Sequence, residues 1–184
     1  MNDKEILRKE FINIRKNIEN KKEKSYEIFK RVINLDEYKN SNTIALYKNL
    51  DNEVNTDNLI DYSLSNGKIV TLPRVVGNNL VFYIIKSIDD NLERSSFGIL
   101  EPLEDKNNII DNFKIDLVIV PGVCFDTLKN RIGFGKGFYD RFLEESKAYG
   151  IAICFEEQVL KNRIIPKEEN DVKVKKIVTD KKIY

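Results

Sequence analysis

The chain has 184 residues, of which 41% are hydrophobic and 33% are charged, and its formal net charge is only +1. This length is sufficient for one domain with a full hydrophobic core, and the balanced charge argues against bulk nucleic-acid binding. The sequence contains no histidine, which excludes histidine-dependent triads, histidine-ligated zinc and the usual general base near neutral pH.

The first two predicted helices are followed by a buried strand and a polar loop. Apolar residues at helical spacing predict helices over residues 4–19 and 24–33, and the apolar run 43–47 predicts a strand. Residues 48–55 form a polar loop in this interpretation. Thr56 is expected to cap a third helix that ends at Leu64, just before Gly67.

The rest of the chain alternates between strand and helix patterns. Strands are predicted at 68–72, ended by Pro73 and Arg74, and at 80–85, joined to the former by a hairpin at Gly77. The continuous apolar run 116–120 is typical of a central parallel strand. A helix over 138–148, a strand over 150–154 and a short strand over 175–179 complete the pattern.

This alternation predicts a three-layer α/β/α sandwich with a mostly parallel, Rossmann-like central sheet and a small antiparallel hairpin. We expect residues 1–184 to form one domain, with ligands at the carboxyl ends of the strands. Cys124 and Cys154 lie in or beside apolar segments and are interpreted as buried small hydrophobes without a disulfide.

The sequence also predicts where the protein acts and with what. No apolar run approaches the roughly 20 residues that span a bilayer, and the charged N-terminus lacks the apolar region of a signal peptide. We therefore expect a cytoplasmic protein without membrane partners. We also expect a monomer that binds small molecules and has no nucleic-acid partner.

The segment Arg131-Ile-Gly-Phe-Gly-Lys-Gly-Phe-Tyr-Asp140 carries the strongest functional signal. Its alternate glycines allow backbone amides to approach a ligand, and amides beside a lysine and a helix N-terminus suit phosphate oxygens. Asp140 would then hold the Mg²⁺ of a polyphosphate. The spacing matches neither Walker A nor the dinucleotide fingerprint. The alternatives are a simple glycine-rich turn and, for Asp140, an acid favoured by the helix dipole.

Two further groups of charged residues have ordinary alternatives. Lys4 and Arg8 are four residues apart and therefore share a helix face, which by itself is most often a solvated one. Glu53 follows a predicted strand, and by default a carboxylate in a polar loop is exposed to solvent.

Taken in order, these segments resemble the 5-formyltetrahydrofolate cyclo-ligase family, also called methenyltetrahydrofolate synthetase. The resemblance runs nearly end to end. The matching segments are Lys4-xxx-Arg8 with Arg15, Tyr47 with Glu53-Val-Asn-Thr56, Leu72-Pro-Arg-Val75, Phe97-Gly-Ile-Leu-Glu-Pro102, Val120-Pro-Gly-Val-Cys-Phe-Asp126, Arg131 to Arg141, and Glu169-Asn-Asp171. The chain departs from the family at Lys136, where glycine or another residue is frequent, and at Phe138, where tyrosine is common.

The resemblance implies a role for each matching residue. ATP would be bound by Lys4, Arg8, Arg131, Gly133, Phe134, Gly135, Lys136, Gly137, Phe138 and Tyr139, of which Arg131, Lys136 and Tyr139 are also expected to act in catalysis. The folate would contact Lys48, Glu53, Phe97, Glu101 and the loop residues Phe134, Gly135, Lys136, Gly137 and Phe138. Asp140 and Asp171 would bind Mg²⁺.

The implied reaction converts 5-formyltetrahydrofolate to 5,10-methenyltetrahydrofolate and releases ADP and phosphate from ATP. Phosphorylation of the formyl oxygen and ring closure need little acid–base chemistry, which suits a chain without histidine. Two other interpretations remain at this point: a sugar-phosphate isomerase or transferase-like enzyme that uses a carboxylate as base, and a non-catalytic nucleotide- or folate-binding protein.

Overall fold

The computed structural model describes residues 2–90, 92–95 and 98–184. Its helices are α1 (Asp3–Lys16), α2 (Lys21–Asn34), α3 (Asp36–Asn40), α4 (Asp57–Ser65) and α5 (Phe138–Glu145). Its strands are β1 (Thr43–Ala45), β2 (Ile69–Val76), β3 (Asn79–Ile85), β4 (Leu92–Arg94), β5 (Leu100–Pro102), β6 (Ile109–Ile110), β7 (Leu117–Val120), β8 (Cys124–Asp126), β9 (Arg131–Ile132), β10 (Tyr149–Ile153), β11 (Val159–Leu160) and β12 (Lys176–Val178).

A seven-stranded sheet forms the centre of the molecule, in the order β12-β10-β7-β1-β2-β3-β6. The pairs from β12 to β2 are parallel, whereas β3 is antiparallel to both β2 and β6. The expected β2–β3 hairpin at Gly77 is present, and the expected central strand β7 lies between β10 and β1. The mostly parallel sheet and the small hairpin are therefore confirmed.

Both faces of the sheet are covered, as its continuous apolar strands require. Leu117 and Ile119 of β7 belong to a core cluster that includes residues of α2, α3 and α4. Val118 and Val120 belong to a second cluster, which includes Phe142 of α5. Successive strand residues point to opposite faces, so helices lie on both sides of the sheet in three layers.

Close packing fixes α5 against the sheet. A Cβ on Gly150 of β10 would lie 2.9 Å from Leu143 Cδ2, so the absence of a side chain there allows the close approach. On β3, the ring of Phe82 lies 4.7 Å from that of Phe142, measured between centroids. Burial of one such side chain stabilises the fold by roughly 1.5–3 kcal/mol. The start of α5, where the glycine loop ends, is thereby held in place.

A three-stranded sheet in the order β11-β8-β9 supports the other end of the glycine loop. The turn between β8 and β9 is organised by the buried carboxylate of Asp126. Its Oδ1 accepts hydrogen bonds from the backbone N–H groups of Leu128 and Asn130. Its Oδ2 accepts hydrogen bonds from the side-chain amide of Asn130 and the backbone N–H of Ile165, and all four distances are 2.7–2.9 Å. Arg131 follows directly, so this turn sets where the loop begins.

Several predicted details of the elements are wrong. Strand β2 does not end at Pro73 but continues to Val76, because β3 pairs with it as far as Val76. Its parallel partner β1 pairs only as far as Thr71, so Pro73 has a neighbouring strand on one side alone. Proline is tolerated where a strand lacks a neighbour on one side. Thr56 does not cap α4 with its side chain, which instead donates to the Tyr47 carbonyl at 2.6 Å.

Other boundaries and features are closer to expectation. Helix α5 ends at Glu145, three residues before the predicted end. Gly67 does follow α4 with a positive φ of 73°, as a residue just past a helix end often does. Cys124 and Cys154 are free and buried, as predicted. None of the helices in the described ranges has the length and apolarity needed to cross a membrane.

Candidate active site

A cavity of about 970 Å³ opens at the carboxyl ends of three of the parallel strands, β1, β2 and β7. Residues from these strand ends line it: Tyr47 and Lys48 after β1, Pro73 and Val75 late in β2, and Pro121 and Gly122 after β7. The start of α1, the β5 strand and the glycine loop complete the wall. The cavity therefore lies at the sheet edge where the sequence predicted a ligand site.

Every predicted site residue that the structure describes lines this cavity. These residues are Lys4, Arg8, Lys48, Glu53, Glu101, Arg131, Gly133, Phe134, Gly135, Lys136, Gly137, Phe138, Tyr139, Asp140 and Asp171. Phe97, the remaining predicted folate contact, lies outside the described residues. The structure thus brings the predicted set together, while the role of each residue stays a prediction.

The glycine loop uses left-handed backbone at two of its three glycines. Gly135 has a φ of 89° and Gly137, which directly precedes α5, has a φ of 67°. For any other residue this conformation costs about 1–2 kcal/mol. The first-turn N–H groups of a helix have no partner within the helix, so the start of α5 offers donors and a partial positive charge to an anion.

Two cations of α1 contact this region, in contrast to the solvated-face alternative. Arg8 Nε donates to the Gly133 carbonyl at 2.8 Å, so the arginine holds the loop itself. Lys4 is buried, and its Nζ lies 2.5 Å from Asp171 Oδ2 and 3.2 Å from Glu168 Oε2. Both side chains therefore belong to the wall of the cavity.

Arg131 is the first residue of the glycine-loop segment, and its side chain connects this segment to Val172. Its Nη2 is 3.0 Å from Asp140 Oδ1, and its Nη1 donates to the Val172 carbonyl at 2.5 Å. Val172 N–H in turn donates to Asp140 Oδ1 at 3.1 Å. Burial lowers the pKa of Arg131, and the neighbouring Asp140 opposes that shift. The Arg131 side chain is only 4% exposed, and it connects the loop to the Val172 segment as well as lining the cavity.

The two predicted metal ligands fit a site that is completed by a substrate. Asp140 and Asp171 are about a quarter exposed, at 25% and 27%, and line the same cavity. The hydrogen bonds found among the described residues engage Oδ1 of Asp140 and Oδ2 of Asp171, which leaves the second oxygen of each for a ligand.

In the described ranges, no three Asp, Glu, Cys or His side chains gather into a preformed metal cage. Mg²⁺ is commonly held by one or two carboxylates together with substrate phosphates and water. The donor set at this wall suits that mode of binding.

The deep part of the cavity contains a buried carboxylate rather than the exposed one that the loop position suggested. Glu53 is 8% exposed; its Oε1 lies 3.2 Å from Arg15 Nη1, and its Oε2 accepts Leu50 N–H at 2.9 Å. Burial raises the pKa of Glu53, and Arg15 opposes the shift. Burial likewise raises the pKa of Tyr47 and Tyr139, so both phenols are neutral donors near this carboxylate.

Two other predicted folate contacts are tied to the wall. Lys48 Nζ lies 2.6 Å from Asp57 Oδ1, and the lysine side chain is 12% exposed. Glu101 of β5 is buried, and burial raises its pKa although its carboxylate accepts the Val75 N–H. Both side chains have a fixed direction before any ligand binds.

Sequence reasoning assigned no role to Arg141, which lines the cavity, or to Arg15, which contacts a residue that lines it. Arg141 of α5 lines the cavity and donates through Nε to the Asn78 carbonyl at 3.0 Å and through Nη2 to the Lys136 carbonyl at 3.0 Å. Arg15 was noted in a matching segment but given no role. A signal did exist for Arg15, because it follows Leu7 and Phe11 at four-residue steps on the buried face of α1.

The fold is that of an α/β protein, and its cavity combines two kinds of binding surface. The glycine loop offers donors to an anion, and Glu53, Tyr47 and Tyr139 offer polar and aromatic groups to a second ligand. A sequence model of the 5-formyltetrahydrofolate cyclo-ligase family matches residues 1–180. The chain belongs to this family of enzymes, as its motifs indicated.

Individual relatives agree with this assignment. The chain is 35% identical over 173 residues to the probable 5-formyltetrahydrofolate cyclo-ligase of Schizosaccharomyces pombe, a match that covers 86% of this chain and 85% of the relative. It is 31% identical over 160 residues to the mouse 5-formyltetrahydrofolate cyclo-ligase, covering 80% and 78%.

Solved structures resemble the fold. The 5,10-methenyltetrahydrofolate synthetase of Aquifex aeolicus superposes with a TM-score of 0.84 at 33% identity, covering 98% of this chain and 91% of that one. The corresponding enzyme of Mycoplasma pneumoniae gives a TM-score of 0.76 at 25% identity, covering 97% and 99%.

Proposed function

We propose that this enzyme converts 5-formyltetrahydrofolate to 5,10-methenyltetrahydrofolate and couples the reaction to hydrolysis of ATP to ADP and phosphate. One observation carries the proposal beyond family membership. A single cavity joins a glycine loop and helix N-terminus, suited to phosphates, with a buried carboxylate, phenols and an exposed phenylalanine, suited to a flat N–H-bearing ring.

In the first step, the formyl oxygen attacks the γ-phosphorus of ATP, and the bond between that phosphorus and ADP breaks. The attacking oxygen carries no proton, so this step needs no general base. The loop amides and Lys136 would stabilise the charge that builds on the transferring group. Mg²⁺, held by Asp140 and Asp171, would neutralise phosphate charge. Arg8 would keep the loop in position through its bond to Gly133.

In the second step, the neighbouring arylamine nitrogen attacks the formyl carbon and forms the new C–N bond. The C–O bond breaks, phosphate departs with the bonding electron pair, and the nitrogen releases its proton to the phosphate or to water. Glu53 would accept hydrogen bonds from N–H groups of the pterin, and Phe134, which is 49% exposed, would cover the ring. Tyr139 would donate from its neutral phenol.

Of the two alternative functions, the sugar-phosphate enzyme fits the cavity less well. A sugar monophosphate has a single phosphate group to bind. A cavity of about 970 Å³ that is lined by cations of both α1 and the glycine loop has room for a triphosphate and a second ligand. A non-catalytic binding protein is consistent with the same geometry, so an activity measurement must separate it from the enzyme.

The decisive assay is ADP release by the purified chain with and without 5-formyltetrahydrofolate, with the methenyl product followed in parallel. We expect ADP and methenyl product in equal amounts, and neither without the folate. Isomerisation of a sugar phosphate without ATP would favour the first alternative. Tight binding of both ligands without ADP release would favour the second.

We also propose that the protein acts as a monomeric single domain. The predicted site residues that the structure describes gather in one cavity of a single chain, so the set needs no second copy to complete it, and the family match extends over residues 1–180. Light scattering on the purified protein should give the mass of one chain, 21.5 kDa; a stable dimer mass would overturn this proposal.

A further inference from the structure

Arg15 contacts the candidate site from behind. It is 1% exposed in α1, and it is not one of the described residues that line the cavity. Its Nη1 nevertheless donates to Glu53, which does line the cavity, and its Cζ lies 5.5 Å from the centroid of the Phe134 ring. Any effect of Arg15 on a ligand must therefore pass through cavity-lining residues that it contacts, which are Glu53, Phe134 and Gly122.

The contacts of Arg15 join three segments of the chain. Nη1 lies 3.2 Å from Glu53 Oε1 and donates to the Gly122 carbonyl at 3.3 Å, so it bridges the loop after β1 and the loop after β7. Leu50 N–H holds the other carboxylate oxygen at 2.9 Å. The Glu53 carboxylate is thus fixed on both oxygens, with its remaining acceptor directions available to a ligand.

Glu53 depends on this cation because it is buried. A carboxylate removed from water tends to take up a proton unless a positive charge or hydrogen bonds favour its ionised form. The neighbouring Tyr47 and Tyr139 are uncharged and cannot replace a cation. Within the described residues, the ion pair found for Glu53 is the one with Arg15.

We infer that Arg15 is a positioning residue for the folate substrate, which acts by fixing the Glu53 carboxylate as the acceptor for N–H groups of the bound ring. The inference rests on the proposed function, since the ring is that of 5-formyltetrahydrofolate. Arg15 touches no substrate, so its contribution should disappear when Glu53 can no longer act as a charged acceptor.

A double-mutant cycle tests this dependence by isothermal titration calorimetry of 5-formyltetrahydrofolate without ATP. Arg15→Met should weaken folate binding about tenfold or more, whereas in a Glu53→Gln background the same change should weaken it less than about threefold. The Kd for ATP should stay within about twofold in every variant. Arg15→Lys retains the charge but not the fork of donors, so it should weaken folate binding only about threefold.

An equal loss of folate affinity in both backgrounds, or an equal loss for ATP, would make Arg15 a merely structural residue and overturn the inference. If Arg15→Met does not give a cooperative thermal transition, Arg15→Lys decides instead: it should weaken folate binding about threefold in the wild-type background and less than about 1.5-fold in the Glu53→Gln background. The wild-type chain separates the two proposals. Folate binding with the expected coupling but no ADP release refutes only the proposed function, and no folate binding at all refutes both.

Discussion

Replacing Asp140 by asparagine should raise the Mg²⁺ requirement and lower stability, and the two effects have different origins. Asp140 Oδ1 accepts from Arg131 and from Val172 N–H, and an asparagine oxygen can still accept both. What the substitution removes is the negative charge. This charge is shared between a neighbouring guanidinium and the metal that the residue is proposed to hold.

The metal effect can be sized from simple electrostatics. A unit charge pair about 4 Å apart contributes about 1 kcal/mol in water, so a divalent ion near a partly exposed carboxylate gains about 2 kcal/mol. This corresponds to roughly a 30-fold change in affinity. Because Arg131 already neutralises part of the charge, we expect the half-saturating Mg²⁺ concentration to rise between about tenfold and about 30-fold.

The stability effect comes from the ion pair. Arg131 is 4% exposed and Asp140 is 25% exposed, so the pair is neither fully buried nor fully solvated. Loss of the charge should cost about 1–3 kcal/mol, which for a domain of this size lowers Tm by roughly 3–10 °C. A thermal scan without metal or nucleotide measures this effect alone.

The metal effect is measured by titrating Mg²⁺ in the ADP-release assay at saturating ATP and folate. Glu144→Gln is the matched control, because Glu144 lies one turn further along α5, lines the same cavity and undergoes the same loss of charge. Its Mg²⁺ titration should change less than about twofold. A Tm decrease for Asp140→Asn together with an unchanged Mg²⁺ titration would show that Asp140 only ties α5 to the Val172 segment.

Three further changes test other parts of the site. Lys136→Ala should lower turnover about tenfold or more, since the proposed point charge on the phosphates is lost, and unchanged kinetics would remove Lys136 from the mechanism. Gly137→Ala should lower Tm by roughly 2–8 °C because of the positive φ at this position. Gly133→Ala is the control: its Cβ would meet nothing within 4 Å, so Tm should stay within about 2 °C of the wild-type value. Equal Tm shifts for the two variants would contradict this account. Burial raises the pKa of Glu53 above 4.5, so folate affinity should be highest at pH values above that raised pKa and should fall as the pH decreases through it. A Glu53→Gln variant with the same pH profile would show that another group causes the pH dependence.

The layers and the sheet could be predicted from the sequence because their signals are local. The apolar run of β7 and the alternation of strand and helix patterns require only neighbouring residues, and both are present in the structure. The strands β6, β9 and β11 have two residues each, too few for any periodicity, and they were missed. Their existence depends on partners that lie elsewhere in the chain.

The glycine loop was found for the same local reason, since its residues are consecutive. The sequence could not show which charged groups pair across the chain. Lys4 and Asp171 are separated by 167 positions, and Arg15 and Glu53 by 38, so nothing in their immediate surroundings indicates these contacts. Glu53 was assigned by default to the surface because a polar loop does not reveal that it folds inward.

The sequence by itself determined the chemical groups available: glycines for a loop with positive φ, several cations and carboxylates, and no histidine. Backbone conformation and strand periodicity are short-range properties, so they could be inferred from neighbouring residues. Only the tertiary structure decided which carboxylate is buried, which cation stabilises it and which oxygens are left for a ligand. The reason is that burial and ion pairing depend on segments brought together by the sheet.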